Sequence, residues 1–111
     1  MKKRTSALNN FGPGGERSSL DQLLEAMLAM RTPGELRAFL EDLCTPAELE
    51  AISDRWCVVP LLLDEVPYRE IHERTGVSVT TIGRIARCLG LGSGGYRLAA
   101  ERVLGAGKIP Y

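Results

Sequence analysis

The sequence contains no apolar run long enough to cross a membrane. The longest such run, "WCVVPLLL", covers residues 56–63, which is far short of the ~20 residues that a bilayer requires. The basic start, "MKKRTSALNNFGPGG", is not followed by the apolar stretch of a secretory signal. These features predict no membrane partner and a cytoplasmic location.

Metal ligands and nucleophiles are also scarce. The chain has one histidine, His72, and three cysteines, Cys44, Cys57 and Cys88, which form no C-x-x-C pair. Closed zinc sites usually take four ligands in close pairs, so we expect no metal and no bound cofactor, with the thiols reduced and buried. These side chains have no acid–base or nucleophile partner at a sequence spacing typical of a catalytic site. We therefore predict no catalytic residues and no enzyme activity.

Strand-like alternation is absent, and apolar residues recur at helical spacing. Residues 1–17, rich in Gly, Asn, Ser and Lys, are predicted to form a flexible basic arm, and residues 105–111 a tail. Between them, 18–104 is predicted to be one all-α domain. We expect the first helix to start at Ser18 or Ser19, with Ser19 and Gln22 as a capping box, and "GLGSGG" (90–95) to form the last loop.

Two further helix starts share one device. In "TPGE" (32–35) and "TPAE" (45–48), threonine suits the N-cap, proline the first helical position and glutamate the capping box. The stretch "LLEAMLAM" then offers more apolar surface than a 111-residue fold easily hides. Exchange of helices with a second copy would bury that surface, which favours a homodimer.

A net charge of zero hides a partition along the chain. Residues 1–20 carry +3 and residues 21–66 carry −7, whereas residues 67–104 have six arginines against three glutamates, a net +3. Lys108 supplies the last positive charge. A basic third is typical of nucleic-acid-binding segments, although arginines on a solvated face would give the same count.

The stretch "REIHERTGVSVTTIGRIARCL" (69–89) lies in that basic third and fits a helix–turn–helix. Gly76 is predicted to stop the first helix in the left-handed conformation, and Ser78 to cap the second. His72 stands where a small residue is usual. The inward-facing positions are predicted to be Ile71, Val77, Ile82 and Ile85.

The remaining side chains suit a DNA groove. Small and hydroxyl residues at the start of the second helix permit close approach to base edges, and arginines can hold phosphates or guanine. The candidate DNA-binding residues on these grounds are Arg69, Ser78, Val79, Thr80, Gly83, Arg84 and Arg87. The alternative is a helix–turn–helix used only for packing or protein contacts.

From residue 44 to 89 the chain resembles the Trp repressor superfamily. The resemblance rests on "TPAELEAISDR" and "REIHERTGVSVTTIGR", and "RCLGLGSGGYRLA" makes it similar to the YerC/YecD branch of Trp-repressor-related proteins. It implies an intertwined, all-α homodimer with two helix–turn–helix reading heads in successive major grooves of double-stranded DNA. By position, Arg69, His72, Val79, Thr80 and Gly83 match residues that face DNA in that family.

The resemblance also implies an effector pocket. The matching positions are Thr45, Arg55, Thr81, Arg84, Ile85 and Cys88. The alternative for Arg55 and Arg84 is a structural role, as surface arginines or in salt bridges near Glu48 or Asp54. The family has glycine where this chain has Ile85, and a branched side chain there points where the indole of tryptophan would lie. Our hypothesis is that Ile85 fills that space, so that the protein does not depend on tryptophan and any effector is unknown.

Taken together, the sequence predicts a homodimeric, sequence-specific DNA-binding transcriptional regulator, acting as a repressor. The alternative is a protein-interaction or adaptor module that kept the helix–turn–helix fold without reading DNA.

Overall fold

Six α-helices follow one another along the part of the chain that the computed structural model describes, residues 18–105. Their bounds are α1 Ser19–Ala29, α2 Pro33–Leu43, α3 Pro46–Leu63, α4 Tyr68–Thr75, α5 Val79–Leu91 and α6 Gly95–Leu104. Within 18–105 there is no strand, so the all-α class is confirmed. The arm 1–17 lies outside the described residues, as does the tail beyond residue 105.

The first helix is capped one residue earlier than the sequence suggested. The Ser18 hydroxyl accepts a hydrogen bond from the Asp21 N–H at 3.0 Å, and the Asp21 carboxylate accepts one from the Ser18 N–H at 3.4 Å. The predicted pairing of Ser19 with Gln22 is therefore wrong. Both pairs, Ser18 with Asp21 and Ser19 with Gln22, place a polar acceptor three residues after a serine. Only Asp21 also adds a negative charge at the positive end of the helix dipole.

The chain forms two compact units, and the boundary between them lies between Thr45 and Pro46. The first unit contains α1 and α2, and neither helix has a buried residue. Thr32 begins α2 as expected, because its hydroxyl accepts from the Glu35 N–H at 3.0 Å. The Glu35 carboxylate accepts from the Arg31 N–H at 2.7 Å, where a capping box would use the N–H of Thr32.

The second unit contains α3 to α6, which pack around one small core. α3 contributes Val58 and Val59, and the core is closed by residues of α4, α5 and α6: Ile71, Ile82, Ile85, Leu89 and Ala100. The inward orientation predicted for Ile71, Ile82 and Ile85 is confirmed, and Val77 packs against the core from the turn. This core fixes α4 and α5 against each other and leaves their outer surfaces exposed.

The last loop is shorter than "GLGSGG" suggested, because α5 continues through Gly90 to Leu91. The residue that ends the helix is Gly92, whose N–H donates to the Cys88 carbonyl at 2.9 Å. A Cβ at Gly92 would lie only 2.5 Å from that carbonyl oxygen. After the loop, the Arg97 guanidinium donates to the Leu89 carbonyl at 3.0 Å, which ties α6 to α5.

The three thiols are free, but the prediction that they are buried is wrong. Cys57 is exposed, and Cys44 and Cys88 are half-buried. Across residues 18–105 no helix is long and apolar enough to cross a bilayer. The same residues bring no three His, Cys, Asp or Glu side chains together as a metal-binding group.

Candidate nucleic-acid interface

The corner between α4 and α5 begins at Gly76. Its φ of 78° lies in the left-handed region, which costs glycine little because it has no Cβ. Its N–H donates to the His72 carbonyl at 2.8 Å and closes the last turn of α4. The predicted helix stop is therefore confirmed.

Two side chains of α4 satisfy the backbone of the next residue, Val77. The Thr75 hydroxyl donates to the Ile71 carbonyl at 2.8 Å and accepts from the Val77 N–H at 3.1 Å. The His72 Nδ1 donates to the Val77 carbonyl at 2.8 Å, because a carbonyl oxygen can only accept. This bond explains why an imidazole stands where a small residue is usual: it holds the turn closed.

Ser78 caps α5, as predicted. Its hydroxyl accepts from the Thr81 N–H at 3.1 Å and donates to the Thr81 hydroxyl at 3.0 Å. The single hydroxyl proton of Ser78 is thus used inside the protein. In this arrangement the Ser78 oxygen still has a lone pair that can accept a hydrogen bond from outside the chain.

We expect Ser78→Ala to lower the free energy of unfolding by about 1 kcal/mol, the usual effect of losing an N-cap. Equilibrium urea denaturation measures this change. Ser93→Ala is the matched control, because Ser93 is exposed and lies outside every described helix, and it should change the free energy little. Equal losses in the two variants would contradict the capping role.

The outer surface of α5 carries most of the predicted DNA-binding side chains. Val79, Thr80, Arg84 and Arg87 are exposed, as the spacing predicted. Gly83 is different, since it is half-buried and a Cβ built on it would lie 3.9 Å from Cε2 of Tyr68. Sequence reasoning missed Tyr68, the first residue of α4, because no pattern along the chain relates it to residue 83.

Three arginines on this surface, Arg69, Arg84 and Arg87, have no acidic partner among residues 18–105. On α4, Arg74 forms an ion pair with Glu70, its Nε lying 3.1 Å from Oε2. Of the residues in 18–105, none pairs with Arg69, Arg84 or Arg87, and all three are exposed. Their charges are therefore available to an anion outside the chain, such as a DNA phosphate.

A second feature, behind the start of α5, is a cavity of about 420 Å³. It is lined by Arg55, Thr81, Arg84, Ile85, Cys88 and Tyr96. Five of the six predicted effector positions therefore come together around one space, and Tyr96 is a wall residue that sequence reasoning missed. Thr45 belongs to the N-terminal unit, and its place in the pocket stays a prediction.

Ile85 forms the inner wall of this cavity without filling it. Its side chain is only 2% exposed and belongs to the core of the second unit. The branched side chain thus packs α5 against that core from within, and space remains open beside it. Arg84 lies at a boundary, since it is exposed on the outer surface and also lines the cavity.

Comparison with known proteins identifies this arrangement. The sequence model of the family described as Trp repressor protein matches residues 18–104. The uncharacterized protein YerC of Bacillus subtilis (strain 168) is 37% identical over 84 residues, which are 76% of this chain and 81% of YerC. The crystal structure of a TrpR-like protein from Eubacterium eligens ATCC 27750 superposes with a TM-score of 0.72 at 34% identity, covering 84% of this chain and 93% of that one.

The matched region contains both the helix–turn–helix of α4 and α5 and the cavity behind it. Its extent and identity go well beyond a shared fold. The chain belongs to the Trp repressor family, a family of all-helical DNA-binding regulators.

Proposed function

We propose that the protein is a homodimeric repressor that recognises a specific sequence of double-stranded DNA and does not require tryptophan. The observation that carries the proposal is the exposed surface of α5 and α4, where three arginines with no acidic partner in the described part of the chain flank small side chains. Such a surface joins charge for phosphates to close approach for base edges. Repression follows from occupying a promoter that polymerase would otherwise bind.

The N-terminal unit supports the dimer. Leu20, Leu24 and Leu28 follow one another at four-residue spacing on one side of α1, and Leu28 is 86% exposed. With no buried residue in α1 or α2, this unit presents an apolar surface that a monomer would leave in water. A contiguous exposed surface of that kind marks an interface, and a second copy of the chain fits the family.

We expect Leu28→Glu to shift the protein from dimer to monomer, because the substitution places a charge in the apolar contact of both copies. Sedimentation equilibrium across a concentration series measures the dissociation constant. Glu25→Gln, on the same helix, removes a charge instead of adding one and should keep the dimer intact. A wild-type protein that is monomeric at all concentrations would contradict the proposal.

A dimer with two helix–turn–helix units determines the symmetry expected of the operator. Helix–turn–helix dimers, the Trp repressor among them, place their recognition helices in successive major grooves about 34 Å apart. The operator should therefore be a palindrome with half-sites one helical turn apart. A monomeric adaptor would recover no such symmetry.

The test is a selection of binding sites from random duplex DNA at ~150 mM salt, with and without tryptophan. We expect the same palindrome in both arms. A site recovered only with tryptophan would restore the effector role of the cavity and contradict tryptophan independence. Failure to enrich any site in either arm would favour the adaptor alternative.

A further inference from the structure

Gly83 has no structural need to be glycine. It lies inside α5 with helical backbone and is not among the described glycines with positive φ. A Cβ added there would make one ordinary van der Waals contact, with the ring of Tyr68 at 3.9 Å. Glycine in a helix interior lowers stability relative to alanine, so this residue weakens α5 without helping it to pack.

What glycine does provide at this position is a hollow on the outer surface. Val79 precedes Gly83 by four residues and lies on the same side of α5, and the Tyr68 ring borders Gly83 from α4. Tyr68 is 42% exposed and Val79 is 49% exposed. The methyl-sized gap that a Cβ of Gly83 would fill is therefore bordered by the Tyr68 ring, and Val79 lies one turn before it; we call the space beside these three residues the hollow.

This hollow matches one group of DNA in size and chemistry. Glycine differs from alanine by one methyl group, so the space it vacates is about that of a methyl. In the major groove only thymine presents a methyl group, at its C5 position, and apolar side chains recognise it by contact. Arg69, Arg84 and Arg87 stand on the same pair of helices to hold the surrounding phosphates.

We infer that the hollow formed by Tyr68, Val79 and Gly83 receives the C5-methyl group of a thymine, with Tyr68 as a specificity-determining residue. This inference rests on the proposed function, and it assigns to Tyr68 and Gly83 one shared role. The absent side chain of Gly83 lets the methyl reach the helix backbone, and the ring of Tyr68 supplies the wall.

The experiment removes the methyl group alone. In the operator recovered by selection, each thymine is replaced in turn by deoxyuridine, which pairs identically and lacks the C5-methyl. Wild-type protein should lose about fourfold in affinity at one thymine of each half-site, the effect of exposing one buried methyl-sized group. Fluorescence anisotropy with labelled duplexes measures the dissociation constants.

The protein variants connect that loss to the hollow. Gly83→Ala and Tyr68→Ala should bind the thymine and deoxyuridine operators equally at that position, whereas Tyr68→Phe, which keeps the ring, should still discriminate. Gly90→Ala is the matched control, because it adds a methyl to the same helix where nothing lies within 4 Å. The thermal unfolding midpoint of Gly83→Ala should be at or above that of the wild type, so that misfolding cannot explain its result.

The outcomes separate this inference from the proposed function. Uniform tolerance of deoxyuridine by the wild type overturns the inference alone, as does discrimination that survives in both Gly83→Ala and Tyr68→Ala. An operator with no thymine in its half-sites also overturns it. A wild type that binds no duplex overturns the proposed function, and the inference falls with it.

Discussion

A double variant carrying Arg69→Glu and Arg87→Glu should lose operator binding by about 10⁴-fold at ~150 mM salt, since each charged contact contributes about tenfold or more and a dimer has four. Both side chains are exposed on the helix–turn–helix, and neither has an acidic partner in residues 18–105. The new carboxylates would also repel the phosphates that the arginines attract. Titration of labelled operator measures the loss.

The salt dependence of operator affinity tests the same arginine contacts with the loss of a single charge per protomer. Arg87→Gln removes one positive charge from each protomer, so two fewer counterions are released when the dimer binds. The slope of log K against log salt should become shallower by about 1.8. Affinity measured at four or five salt concentrations gives this slope without requiring that binding be abolished.

Arg37 supplies the control for the salt experiment. It lies on α2, where its Nε is 2.9 Å from Oε2 of Glu41, and its side chain is 80% exposed. Arg37→Gln changes the net charge as Arg87→Gln does, and it breaks only a surface pair that contributes little. If Arg37→Gln altered the slope as much as Arg87→Gln, overall charge rather than the α4–α5 surface would be attracting the DNA.

The second large effect concerns Ile85. Ile85→Gly should lower the free energy of unfolding by about 3–6 kcal/mol, through lost burial, an internal cavity and a glycine in the helix. Ile85 is 2% exposed and joins α5 to the core, so the variant should also bind operator far more weakly. Urea denaturation and operator titration report the two losses separately.

Tryptophan distinguishes packing from ligand response. We expect the wild type to bind its operator equally well with and without tryptophan, because Ile85 already packs α5 from within. Ile85→Val keeps most of the contact and should cost about 0.5–1.5 kcal/mol, with operator binding preserved. If Ile85→Gly does not fold, the less severe variant Ile85→Ala replaces it in the denaturation and operator-binding measurements. Tighter operator binding by the wild type in tryptophan would contradict the proposal that the protein does not require tryptophan.

Local chemistry predicted the helix–turn–helix well, because its signals lie close together in the sequence. Gly76 and Ser78 each act through bonds to residues three or four positions away. The same locality misled the assignment at α1, where two adjacent serines offer equivalent caps and the charge of Asp21 decides. At the end of α5, Gly90 and Gly92 look alike in sequence, and only the hydrogen bond from the Gly92 N–H to the Cys88 carbonyl shows which one ends the helix.

Contacts between residues that are far apart in the sequence could not be predicted from it. Tyr68 meets Gly83 across the helix–turn–helix, and Tyr96 reaches the cavity from α6. Neither residue has a partner at helical spacing, so a periodic pattern carries no sign of the contact. The spacing placed Gly83 nearer the outer surface, where it is half-buried, but it could not reveal the aromatic ring beside it.

The bond between His72 and the Val77 carbonyl also fixes the chemistry that His72 offers to a ligand. A neutral imidazole carries one ring proton, and here Nδ1 holds it. Nε2 of the neutral ring is then a hydrogen-bond acceptor. An acceptor attracts amino groups, such as N6 of adenine and N4 of cytosine, and repels phosphate oxygens. The turn that the imidazole closes therefore also sets the tautomer of the ring, so that neutral His72 differs in kind from the arginines around it.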